Sequence, residues 1–143
     1  MPKYLFLTII TVAIILIGCD PTDNRLTIIN ETNRPLFYIT TASDSIEGST
    51  PFKEFVEVSN MDATWIDSDY FIKPKSEKKK MVMSDWEETI RNNFNGKLYI
   101  FIFDADTLKE YNWEEIKKKN NYFTKYSLTL DDLNNMKWKV RVK

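Results

Sequence analysis

A chain of 143 residues with 20 Lys and Arg against 21 Asp and Glu has the length of one domain and a formal net charge of -1, which gives no electrostatic case for a nucleic-acid partner. It contains no histidine and one cysteine, which excludes His-dependent nucleophilic triads, imidazole metal sites and an internal disulfide. Its three glycines, Gly18, Gly48 and Gly96, stand too far apart to form a phosphate-cradling loop.

From the N-terminus, Met1 to Lys3 carries one charge, Lys3, and Tyr4 to Ile17 is almost unbroken hydrocarbon. That run is shorter than the roughly 20 residues a transmembrane helix needs and suits the apolar core of a signal peptide. It ends in Leu16-Ile17-Gly18-Cys19. Two aliphatic residues, Gly and Cys in that order resemble the lipobox of bacterial lipoproteins. The resemblance implies cleavage between Gly18 and Cys19, a diacylglyceryl group on the Cys19 thiol and an acylated new amine. A thiol is the side chain best suited to such alkylation. Residues 1–18 are then a lipoprotein signal peptide, 19–25 a tether and 26–143 a single β-rich extracytoplasmic domain. Asp20 and Asp23 follow the cysteine. In enterobacterial lipoproteins Asp in the first of these positions resembles an inner-membrane retention signal, and in Bacteroidota such acidic residues resemble a surface-export signal. The expected location is the cell envelope, the outer membrane over the inner, with surface exposure open.

Leu26 to Asn30 and Leu36 to Thr41 read as strands joined by the turn Asn30-Glu-Thr-Asn-Arg-Pro35, a first hairpin. Phe52 to Val58 and the piece around Tyr70-Phe-Ile are further strand candidates, and Ser76-Glu-Lys-Lys-Lys80 is a charged turn. Ser84-Asp-Trp-Glu87 has the form of a capping box for a helix to about Phe94, stopped by Gly96. Leu98-Tyr-Ile-Phe-Ile-Phe103 is apolar on both faces and belongs in the middle of a covered sheet. Asp104-Ala-Asp-Thr ends it, and Asn112-Trp-Glu-Glu115 caps a short helix to about Lys119. Tyr122 to Leu128 alternates as a strand, and Thr129 caps a single helical turn. In the last segment Trp138, Val140 and Val142 face in, while Lys137, Lys139, Arg141 and Lys143 face out, as suits an edge strand. The expected fold is mainly β and sandwich-like, with two or three short helices; an α+β arrangement is the second choice.

Tyr99-Ile-Phe-Ile-Phe-Asp-Ala-Asp-Thr-Leu108, Tyr111-Asn-Trp-Glu-Glu-Ile116, Tyr126-Ser-Leu-Thr-Leu-Asp-Asp-Leu133 and Lys137-Trp-Lys-Val140 together resemble small uncharacterised lipoproteins of Bacteroidota. A hairpin such as Thr27-Ile-Ile-Asn-Glu-Thr-Asn33 fits the same group. The resemblance spans most of residues 26–142 and implies a β-rich extracytoplasmic domain. It brings no activity with it.

Candidate sites are few. Asp104, Asp106 and Glu115 take three positions of a Ca²⁺ loop, but Leu108 and Lys109 stand where an acidic ligand and a glycine are needed, so a strand-end turn with a helix cap is favoured. Asp67-Ser-Asp69 reads the same way. Glu114 with Glu115, and Asp131 with Asp132, are first-turn helix acids rather than a catalytic pair, because adjacent helical residues diverge. Trp86, Trp113 and Trp138 read as core, whereas Trp65, with Tyr70 and Phe71 nearby, is the best placed aromatic for a ligand contact. Lys78 to Lys80 and Lys117 to Lys119 read as solvated faces. Asp44-Ser-Ile46 and Asp106-Thr-Leu108 resemble the O-glycosylation motif of Bacteroidota. Neither a catalytic residue, a metal site nor a cofactor is expected. The expected role is a lipid-anchored, non-catalytic envelope protein that binds a protein partner at the outer membrane. A glycan-binding module built on Trp65 and Tyr70 is the alternative, and a hydrolase is third.

Overall fold

The computed structural model describes residues 22–46 and 69–143. Seven strands and four helices follow one another: β1 (Asp23–Asn30), β2 (Leu36–Thr41), β3 (Phe71–Ile72), β4 (Ser76–Val82), α1 (Trp86–Asn92), β5 (Leu98–Asp104), α2 (Ala105–Glu110), α3 (Trp113–Lys119), β6 (Thr124–Leu128), α4 (Leu130–Asn135) and β7 (Lys139–Val142). The strands form two open sheets, one in the order β4-β1-β7 and the other in the order β3-β2-β5-β6. The mainly β, two-sheet reading holds, with four helices among the described residues rather than two or three.

β5 shows how the layers arise. Its side chains alternate across the sheet. Leu98, Ile100 and Ile102 enter one buried cluster with Leu26 and Ile28 of β1 and Val140 and Val142 of β7, which fills the space between the two sheets. Phe101 and Phe103 enter a second cluster with Ala105, Trp113 and Ile116, where α2 and α3 cover the outer face of the larger sheet. Trp86 and Ile90 of α1 and Leu133 of α4 join the first cluster. Each such side chain, fully buried, contributes about 1.5–3 kcal/mol.

β1 and β2 do not form a hairpin. β1 pairs antiparallel with β4 and parallel with β7, and β2 pairs with β3 and β5. Both strands are apolar enough to lie inside a sheet, and each takes two neighbours of its own. The corner between them is built on Asn30, which is buried. Its amide nitrogen donates to the carbonyls of Arg34, Ile72 and Lys73, and its oxygen accepts from the Thr32 backbone and hydroxyl. Arg34 also pairs with Asp104 at 3.0 Å, which pins the corner to the end of β5.

Ser76 to Lys80 is not a turn but most of β4, in register with β1 from Asn30 opposite Ser76 to Leu26 opposite Lys80, with a one-residue shift before Asp23 meets Val82. Lysines suit this edge because their stems lie along apolar surface while the ammonium groups stay wet. α1 is capped by Asp85, whose carboxylate accepts from the Glu88 N–H at 2.6 Å, and not by Ser84, whose hydroxyl meets that of Thr89. Asp104 ends β5 and caps a short helix, α2, in keeping with a strand-end turn and helix cap, and α2 is one helix more than the sequence predicts. Both capping boxes further on, Asn112 with Glu115 and Thr129 with Asp132, are present. β7 is an edge strand with Val140 and Val142 buried and Lys139 and Arg141 exposed, as its alternation requires. The strand candidate Phe52 to Val58 lies outside the described residues.

Candidate functional site

Gly18, Cys19, Trp65 and Asp67 lie outside the described residues. Tyr70 lies beside β3, half-buried, and packs against the outer cluster. Its ring centroid is 6.3 Å from that of Tyr38, and the Lys80 ammonium stands 5.5 Å over its ring. Trp86, Trp113 and Trp138 are all buried, as their spacing predicts.

Of the described acidic residues considered as ligands or catalysts, Asp69, Asp104, Asp106, Glu114 and Glu115 are engaged separately. Asp104 is buried, pairs with Arg34 and accepts from the Asp106 N–H at 2.9 Å. Asp106 meets Lys109, and Glu115 closes the α3 capping box. Asp69 lies 4.0 Å from Lys78, and Glu114 pairs with Lys117 at 2.7 Å. Among the described residues no group of three or more His, Cys, Asp or Glu side chains is placed to hold a metal ion. In the motif Asp44-Ser-Ile46, Asp44 and Ser45 are exposed and Ile46 is buried; Asp44 pairs with Lys125 at 2.6 Å. The other such motif lies in α2, with Asp106 exposed. An open depression of about 440 Å³ is lined by Ile29, Asn30, Glu31 and Lys75.

A further polar cluster stands at the start of β1, within the stretch 19–25 expected to be a tether. The Asp23 carboxylate accepts from the Arg25 guanidinium at 2.8 Å and from the Trp86 N–H at 3.1 Å. Arg25 also pairs with Glu87, and its guanidinium lies 4.2 Å over the Trp138 ring. Burial pushes the Asp23 carboxyl up, but the hydrogen bonds from Arg25 and Trp86 outweigh it and hold the group below its ordinary value. Arg25 thus ties the first strand to α1 and to the approach of β7. The sequence signal was there: Asp23 and Arg25, two apart, share one face of a strand.

Beside this cluster the surface turns apolar. Val82, the register partner of Asp23, packs on the inter-sheet core. Its neighbours Met81 and Met83 are 59% and 80% exposed.

Among the described residues no helix is long and apolar enough to cross a membrane. Comparison of the chain with protein-family models, with curated proteins and with solved structures finds no match.

Proposed function

We propose that this chain is a lipid-anchored, non-catalytic protein of the cell envelope, held at the outer membrane through Cys19 and binding a protein partner there. The observation that carries the reading is Leu16-Ile17-Gly18-Cys19 at the end of the apolar run from Tyr4 to Ile17. The resemblance of residues 98–140 to small Bacteroidota lipoproteins supports it. Two or three acyl chains, at about 0.8 kcal/mol per buried methylene, hold a protein at a bilayer where one chain does not.

The absence of catalysis is part of the proposal and rests on how the described carboxylates are used. A general acid needs a carboxyl raised towards neutral pH. Asp23 and Asp132 are moved the other way, Asp132 by hydrogen bonds from the Thr129 hydroxyl and backbone. Asp104 and Glu115 serve helix caps, and Asp69, Asp106 and Glu114 meet lysines.

Two measurements test the proposal. Cys19→Ser is expected to release the protein from the membrane fraction, and retention of that variant overturns the anchor. Native pull-down of the lipidated protein from crosslinked cells, read by mass spectrometry, is expected to recover a stoichiometric outer-membrane protein. A clean result without one removes the partner from the proposal.

A further inference from the structure

Of the large apolar side chains exposed among the described residues, Met81, Met83 and Phe123, two lie together at one end of the smaller sheet. That is the end from which the chain runs back towards Cys19. Asp23 is fixed there by the Trp86 backbone N–H and by Arg25, itself held by Glu87, so β1 begins four residues after the cysteine. Four residue steps span at most about 14 Å even when fully extended. The headgroup layer on each side of a bilayer is itself roughly 5–8 Å thick. A lipid on Cys19 therefore brings the start of β1, and with it Val82 and the methionines on either side, to the membrane surface.

From this juxtaposition we infer that Met81 and Met83 form a membrane-docking surface, inserting into the outer part of the phospholipid bilayer that holds the Cys19 lipid. The inference rests on the anchor reading above. Methionine suits the role, because its unbranched thioether adapts to an irregular apolar medium. The charges beside it are mixed: Lys79 and Lys139 lie opposite Thr27 on either side, while Asp85 caps α1 and Glu87 pairs with Arg25. Insertion of the apolar side chains, not attraction to anionic lipid, thus carries the contact. Docking by this end leaves the opposite end of β1, with the corner at Asn30, facing away from the membrane and open to a partner.

The test uses the full chain, purified with its lipid and reconstituted in vesicles of phosphatidylethanolamine and phosphatidylglycerol. Once Cys19 is lipidated it has no free thiol, so Met83→Cys supplies one site for an environment-sensitive fluorophore. Asn33→Cys, exposed beyond the far end of β1, supplies the control. The label at 83 is expected to shift its emission to the blue and to be quenched by lipid-borne nitroxides, while the label at 33 does neither. A label at 83 that stays in water overturns docking. A label that is shielded only in native membranes and not in pure lipid overturns it as well, and makes the occupant a protein. If a thiol reagent labels Cys19 in the unsubstituted chain, the anchor reading fails and docking falls with it; an unreactive Cys19 with a solvated label at 83 fails docking alone.

Discussion

The Tyr38 hydroxyl is buried between the sheets without a hydrogen-bond partner among the described residues. An unsatisfied buried hydroxyl costs about 1–3 kcal/mol, because it has left water and gained nothing. Burial is also the first cause that raises its pKa above the ordinary 10.0, with the Asp69 carboxylate adding to it. The sign follows from linkage. Folding favours the protonated phenol, so the stability is present below the unfolded value and falls as pH rises from about 10 towards the higher folded value. Tyr38→Phe is expected to raise stability by about 1 kcal/mol at neutral pH and to flatten the alkaline loss. Part of that loss remains, since burial raises Tyr126 in the same direction. Urea unfolding at neutral pH and at pH above 10 reads both effects. A destabilised phenylalanine variant means that the hydroxyl has a partner after all.

The helices are short, and isolated helices of six or seven residues do not persist in water. Caps and buried faces hold them. Asp85 and Ser84 separate two readings of α1. Asp85→Ala is expected to cost about 1 kcal/mol and Ser84→Ala a few tenths, measured by chemical denaturation, because of these two side chains Asp85 satisfies a first-turn N–H and Ser84 does not. Equal costs would restore Ser84 as the cap. The sequence Ser84-Asp-Trp-Glu87 offers two capping residues in succession, and composition does not choose between them. What chooses is Asp23, whose carboxylate takes the Trp86 N–H and so sets where α1 begins. Elements fixed by local chemistry were legible: the boxes at Asn112 and Thr129, the two-faced β5 and the alternating β7. β4 was hidden because four charged residues in Ser76-Glu-Lys-Lys-Lys80 read as solvent-loving, while the strand is held by backbone pairing to β1.

Pairing partners are a property of the whole molecule, and the corner at Asn30 shows why the sequence did not display them. Residues 30–35 have the composition of a hairpin turn, yet Asn30 reaches carbonyls of Ile72 and Lys73, which are distant in the chain. The arch places β1 and β2 in different sheets, and β5 then serves both cores. Its side chains fill the inter-sheet cluster from one face and the helix-covered cluster from the other. Neither cluster can loosen while β5 keeps its pairing with β2 and β6. The described fold is therefore expected to unfold as one cooperative unit. Ile100 and Phe101 are adjacent, fully buried and turned to opposite cores. Ile100→Ala and Phe101→Ala are each expected to cost about 2–5 kcal/mol, a large part of the stability of an ordinary domain. Both losses are expected in a single transition, with far-UV circular dichroism and amide exchange in α3 and in β7 moving together. Exchange in α3 that precedes exchange in β7 in the Phe101→Ala variant would show instead that the helix layer melts alone. The two cores would then be separate units that share a strand without sharing their stability.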